Sequence, residues 1–370
     1  MNLLRTWAVA ACTLVMSAAA WAQPIVIHHI GPFTGVLAGS NQETIDGARL
    51  YLEQFNAKGG VQGRPVTLET LDDGQDPKRS QALLAELIAA KKVLAVFAPR
   101  TTPSLEAMMP EAIKHGIPII APQPGASFVN QPPKRELFAV RASYQKEAER
   151  AIQQQHSIGA RKFGLLVASD SYGEDTMVGI QRAMTALKIT PVATARIDNR
   201  KPEVGPAVKQ MLAAQPEVML MVVSAKAAAD FIRAYRAERG FATFITLSNT
   251  SSQDYVKALG DQGRGAIVMQ VMPSPFSATT QVARDFVAAA TARNVPVSYA
   301  ALQGWLSAKV LSKGLERAGK TVTSSSLIQG MESLGELDVG GYIVKYGPGE
   351  RTGSVFVEPT IITAEGRFMR

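Results

Sequence analysis

The 370-residue chain is modestly basic, with 39 Lys and Arg against 31 Asp and Glu for a net charge of +8, and 46% of it is hydrophobic. The cations are scattered and not interleaved with aromatic residues, so the excess serves solubility and leaves no nucleic-acid footprint. The one cysteine, Cys12, falls in an apolar leader, and the four histidines, His28, His29, His115 and His156, are dispersed, so no disulfide framework or metal-ligand cluster is available.

Met1 to Ala22 has the pattern of a cleavable secretory signal: Arg5 in a short n-region, apolar residues from Ala8 to Val15, and Ala20-Trp21-Ala22 before Gln23. Val9-Ala10-Ala11-Cys12 resembles a lipoprotein box, but few apolar residues precede Cys12 and the better apolar run follows it. The remaining length favours about two domains, at roughly 150 residues each.

Beyond the leader, β-rich runs alternate with helical patterns. Strands are predicted at 24–30, 64–71, 93–98, 117–121, 136–141, 162–168, 192–198, 217–223, 243–247 and 265–271. In the first helix Ile45, Ala48, Leu52 and Phe55 share a face, and Lys58 with Gly59 gives a stop. Val93 to Phe97, Ile117 to Ile120 and Val218 to Val223 are continuously apolar, as interior parallel strands require. Two strand–helix series result, one to about 120 and one from about 162, with 136–145 free of strong breakers, as a strand crossing between lobes would be. A second boundary falls near 270–276; helix returns over 281–335, and 341–363 reads as closing strands around Gly347-Pro348-Gly349. The fold class is α/β: two similar lobes, each a mostly parallel sheet with helices on both faces.

Catalytic signatures are missing from this pattern. Ser127 and Ser169 sit in no G-x-S-x-G elbow, and Gly31, Gly35 and Gly39 fit no phosphate-binding loop. Asp72, Asp73 and Asp76 read as a turn, with Asp76 capping a helix that starts near Pro77. Hydroxyls and small residues instead recur at strand carboxyl ends: Thr101-Thr102-Pro103-Ser104, Pro122 to Ser127, Ser169 to Gly173 and Ser248 to Ser252. Open α/β sheets bind ligands at that edge, and hydroxyls with helix N-terminal N–H groups hold carboxylates.

Gly31-Pro32-Phe33-Thr34-Gly35, Asn56 to Gly63, Asp72 to Pro77 and Ser171-Tyr172-Gly173 together resemble the type I periplasmic binding proteins of the leucine/isoleucine/valine-binding family. These are the substrate receptors of bacterial ABC importers. Arg141 to Tyr144 and Gln270 to Pro275 match a subgroup of importer receptors. The resemblance implies two lobes joined by three crossover segments, lobe 1 at 24–142 and 273–356 and lobe 2 at 143–272 and 357–370. It also implies hinge closure, a periplasmic location, permease subunits in the inner membrane as partners, a monomer, and neither cofactor nor catalysis. The implied ligand-binding residues are Thr101, Thr102, Ser104, Gln123, Gly125 and Tyr144 on the first side, and Tyr172, Ser224, Ser248 and Asn249 on the second.

Two departures bear on the ligand. Gly125 stands where a threonine hydroxyl is common, and 248–252 holds no acid to receive an α-ammonium, with Asp254 on the helix beyond. Arg100, beside Thr101, is placed to answer a carboxylate or to face solvent. The expected ligand is a small aromatic or aliphatic carboxylate lacking an ammonium, ahead of a branched-chain amino acid. A periplasmic sensor feeding a membrane kinase or chemoreceptor stays open, as does a secreted hydrolase, for which no nucleophile–base pair is found. Trp305, the one tryptophan after Ala22, is expected to report closure.

Overall fold

The computed structural model describes residues 23–277 and 279–370. The segment expected to be a signal peptide, with Cys12, lies outside those residues. Five parallel strands build the first sheet: β1 (Ile25–Gly31), β2 (Val66–Asp72), β3 (Val96–Phe97), β4 (Ile119–Ile120) and β5 (Leu137–Phe138), in the order β2-β1-β3-β4-β5. Helices α1 (Ala38–Ala57), α2 (Pro77–Ala89) and α3 (Thr102–His115) connect them. The middle strands are shorter than predicted, mainly at their N-terminal ends, and Ala98 and Ala121 turn left-handed, at φ 52° and 54°, directly after β3 and β4. Within β1 the adjacent histidines diverge as strand alternation demands. His28 reaches Glu69 at 3.4 Å, whereas His29 turns inward to the Phe97 carbonyl.

The second sheet repeats the design with β6 (Phe163–Ala168), β7 (Ala193–Ile197), β8 (Val218–Val222), β9 (Thr243–Thr246) and β10 (Ile267–Gln270), all parallel. Its helices are α4 (Tyr144–Ser157), α5 (Ser171–Leu187), α6 (Gly205–Ala214), α7 (Ala225–Ala237) and α8 (Gln253–Leu259). The chain then returns to the first lobe through α9 (Gln281–Ala292), α10 (Tyr299–Arg317) and α11 (Ser324–Glu332). A small antiparallel sheet follows, made by β11 (Glu336–Asp338), β12 (Ile343–Gly347) and β13 (Glu350–Gly353). Finally β14 (Glu358–Ile362) and β15 (Phe368–Met369) add an antiparallel edge to the second sheet, in the order β15-β14-β10-β9-β8-β6-β7.

Three crossings join the lobes, between β5 and α4, β10 and α9, and β13 and β14. They lie side by side. The Tyr342 hydroxyl donates to the carbonyls of Val140 and Val271, each at 2.9 Å, and Tyr346 donates to Ala139 at 2.6 Å. A Cβ on Gly353 would stand 2.2 Å from the Ala139 carbonyl, so only glycine admits the third crossing. In the first lobe α1 and α10 meet backbone to backbone: a Cβ at Gly304 would fall 1.7 Å from the Thr44 carbonyl oxygen. Trp305 is buried there against Tyr51, at 5.0 Å between ring centroids. That places it in a core remote from the interlobe cavity, so it reports unfolding of the first lobe rather than closure.

Candidate functional site

Strand order reverses around β1 in the first sheet and around β6 in the second, so neighbouring loops leave in opposite directions and open a crevice at the carboxyl ends. The two crevices face each other across a cavity of about 330 Å³. That is the small end of the ~300–1,000 Å³ typical of ligand pockets. Four helices begin on its wall. Asp76 caps α2 by accepting from Lys78 N–H at 3.0 Å, and Thr101 caps α3 by accepting from Ser104 N–H at 3.1 Å. Asp170 caps α5 through the N–H groups of Tyr172 and Gly173, and Ser224 caps α7 through Ala227 N–H at 3.3 Å. Each start presents the positive end of a helix dipole, which together favour an anion.

Six of the ten residues expected from the sequence line the cavity: Thr101, Thr102, Tyr144, Tyr172, Ser224 and Asn249. Thr102 is buried, and its hydroxyl makes no hydrogen bond to another described residue. The Tyr172 hydroxyl donates to Asn249 Oδ1 at 2.9 Å, while Asn249 Nδ2 donates to the Val223 carbonyl at 2.9 Å. Tyr144 and Tyr172 form an aromatic wall with ring centroids 4.6 Å apart. The other four stand behind this surface. Ser104 donates to Asp73 Oδ2 at 3.3 Å, and Ser248 gives its N–H and hydroxyl to Glu147 at 2.7 and 3.0 Å. Gln123 is buried among Asn41, Ala98 and Arg100, and Gly125 is packed so closely that a Cβ would meet Arg141 Nη2 at 2.9 Å.

Of the first loop, Gly31 to Gly35, no residue reaches the cavity; Leu37, just beyond it, does. Asp72 clamps that loop by accepting from Phe33 N–H and the Thr34 hydroxyl, both at 2.8 Å. This follows from register, since Asp72 pairs with Gly31 in the parallel ladder. Asp254 is off the wall and lies against Gly39. The sequence reading omitted Asp198, Asn199 and Arg200, which also line the cavity. They follow β7 as the other lining residues follow their strands, so the same rule applied to Asp198-Asn199 finds them.

From the cavity wall inward, a largely buried polar ring ties both lobes together. Arg100 Nη1 donates to Gln123 Oε1, and Arg141 Nη1 donates to the Gln123 carbonyl at 3.0 Å. Arg141 pairs with Glu147, Glu147 accepts from Ser248, and Arg100 Nη2 closes the ring by donating to the Asn249 carbonyl at 3.4 Å. Burial pushes the Glu147 carboxyl up to about 7, against the opposing pull of Arg141 and Ser248. The left-handed Ala98 and Ala121 sit at this ring's lobe 1 edge, and Ala98 offers its carbonyl to Gln123 Nε2 at 3.1 Å. Such positions recur where a binding site over-determines the backbone.

Two mostly parallel sheets facing one another over a small cavity define a class: proteins that hold a small molecule between two lobes. The chain belongs to the periplasmic binding protein family, whose profile matches residues 24–355. The curated relatives it matches include two named as Leu/Ile/Val-binding proteins, from Rhizobium johnstonii and Brucella melitensis. It is similar to the Leu/Ile/Val-binding protein BraC3 of Rhizobium johnstonii, 22% identical over 335 residues and covering 87% of each chain. Among solved structures, a substrate-binding periplasmic protein from Ralstonia solanacearum is 29% identical, with a TM-score of 0.87 over 93% of this chain and 99% of that one. A possible leucine/isoleucine/valine-binding protein from Rhodopirellula baltica has a TM-score of 0.90 at 23% identity, over 96% and 98% of the two chains.

Proposed function

We propose that this protein is the periplasmic receptor of an ABC importer of the branched-chain-amino-acid type. It captures a small carboxylate between its lobes and presents it, as a monomer, to permease subunits in the inner membrane. The observation that carries this reading is the uncommitted Thr102 hydroxyl in a cavity where four helix N-termini meet, two from each lobe. Hydroxyls and N–H dipoles arranged in this way bind a carboxylate without chemistry. Among the described residues no helix is long and apolar enough to cross a membrane, in keeping with a receptor that works beside its permease.

Closure brings together the body at 24–142 with 273–356 and the body at 143–272 with 357–370. The contacts that would form are specific. Gln253 N–H donates to Glu43 at 3.0 Å, Ser127 N–H to Asp175 at 2.9 Å, and Arg100 to the Asn249 carbonyl. A ligand touching both walls favours the closed state by its differential affinity for that state. The ligand we favour is an aromatic or aliphatic acid without an α-ammonium, ahead of a branched-chain amino acid.

A thermal-shift screen of mature protein against amino acids, aromatic acids, dicarboxylates and short amides tests this. A bound class at a hundred times its Kd should stabilise the fold by about 2.7 kcal/mol. Stabilisation by amides alone, with no response to any carboxylate, would refute the reading. Thr102→Ala is expected to weaken the responding carboxylate by about 1–3 kcal/mol, as loss of a hydrogen bond to a charged group does. Titration calorimetry measures it, and an unchanged affinity removes Thr102 from the site.

A further inference from the structure

We propose that Arg100 is the specificity-determining counter-ion of the cavity, selecting ligands of net negative charge over zwitterionic amino acids of the same shape. The inference rests on the carboxylate reading above and assigns the residue that sets its charge class.

Arg100 lines the cavity and is hydrogen-bonded on three sides, to Gln123 Oε1, to Ser40 Oγ at 3.1 Å and to the Asn249 carbonyl at 3.4 Å. Every one of these acceptors is neutral. A guanidinium has five N–H donors, so the Nε–H and one Nη1–H remain uncommitted. The other charges of the buried ring cancel, because Arg141 and Glu147 form an ion pair and Glu147 is further occupied by Ser248. The ring itself therefore holds one surplus positive charge, on Arg100, where burial already pulls its pKa down; Glu43, whose charge also acts on Arg100, is occupied by Gln253 N–H and the Ser298 hydroxyl. A desolvated cation of this kind needs an anion, and a guanidinium cannot escape by losing its proton.

An ammonium meets the opposite situation. Asp170, which lines the cavity beside Tyr172, spends Oδ1 on the α5 cap and has Oδ2 facing Asn199 at 3.5 Å. Asp198 is exposed at the outer end and accepts from Arg200 N–H at 2.7 Å. A carboxylate at the start of α3 thus meets Arg100, whereas an α-ammonium attached beside it meets the same positive charge. The tyrosine pair and Leu37 accept an apolar body.

Titration calorimetry on the mature protein with two matched pairs tests this: 4-methylpentanoate against leucine, and 3-phenylpropanoate against phenylalanine. In the pair that binds, the acid should bind at least about tenfold tighter, which is about 1.4 kcal/mol. Arg100→Gln, which keeps hydrogen bonding and drops the charge, should reduce that preference to within about threefold, and Arg100→Lys should preserve it. Thermal unfolding of both variants checks the fold, and the wild-type ratio stands if either variant fails to fold. Tighter binding of the amino acid, or a preference untouched by Arg100→Gln, overturns the assignment of Arg100 and leaves the carboxylate reading intact. No binding of any of the four overturns both.

Discussion

Glu147→Ala should destabilise the fold by about 3–5 kcal/mol at pH 8, whereas Arg141→Met should cost clearly less, although both break the same ion pair. The pair is buried, stacks Arg141 over the Tyr144 ring at 4.4 Å, and joins the first crossing to the loop that carries Ser248. The asymmetry comes from what each substitution leaves behind. Without Glu147 the guanidinium stays charged and buried. Without Arg141 the carboxyl takes up a proton, and Ser248 continues to hydrogen-bond it. In the native protein burial has already pushed Glu147 up to about 7, so losing Arg141 raises it further. A carboxyl whose folded pKa lies above its unfolded value contributes stability that is full below the unfolded pKa and lost as pH rises through the folded one. The Arg141→Met penalty should therefore shrink as pH falls from 8 to 6. Urea denaturation at both pH values measures it, and equal penalties at both would contradict the argument.

The second large effect is acid lability from His29. It is fully buried, donates from Nδ1 to the Phe97 carbonyl at 3.0 Å and accepts from Asn41 Nδ2 at 3.0 Å, so the neutral ring is satisfied on both sides. A proton on Nε2 would face the Asn41 amide hydrogens, and burial holds the imidazole down at about 4, against 6.5 unfolded. For a depressed pKa the stability is fully present above the unfolded value and is lost as pH falls toward the folded one. His29 should withdraw about 3 kcal/mol between pH 7 and pH 4, at about 1.36 kcal/mol per pKa unit. Glu147 acts in the opposite sense over the same window, so the native profile alone does not isolate either group. The difference between His29→Gln and native protein does: it should move by about 3 kcal/mol in favour of the variant from pH 7 to pH 4. A difference that stays constant across that range would show that His29 does not carry the lability.

The carboxyl-end hydroxyls were legible because a Ser, Thr or Asp just after an apolar strand is at once a helix cap and a rim residue. That rule found Thr101 and Thr102 and the clusters that hold Tyr172 and Asn249 on the wall, whereas Ser224 came from the family resemblance. It could not separate Thr102 from Ser104, two residues along the same helix, because a rotation of about 200° between them sends Ser104 inward to Asp73. Gln123 and Ser248 were named from the same loops, but their side chains turn to Arg100 and Glu147 behind the surface. Arg100 had no pattern to distinguish a rim cation from a solvated one. Its role depends on Ser40, Gln123 and Asn249, which lie 60, 23 and 149 residues away in the chain.

Local chemistry alone determined the alternation of strand and helix, the parallel character of the apolar runs, the cap at Asp76 and the stop at Gly59. Periodicity, burial preference and backbone conformation act within a few residues, so the sequence carries them directly. Tertiary structure alone decided the reversal of strand order that opens the two crevices and the side-by-side packing of the three crossings. It also decided which polar side chains face the cavity and which close the ring behind it. Those features arise from register and from contacts between segments far apart in the chain, where a rotation of one residue exchanges a ligand-facing hydroxyl for a buried one.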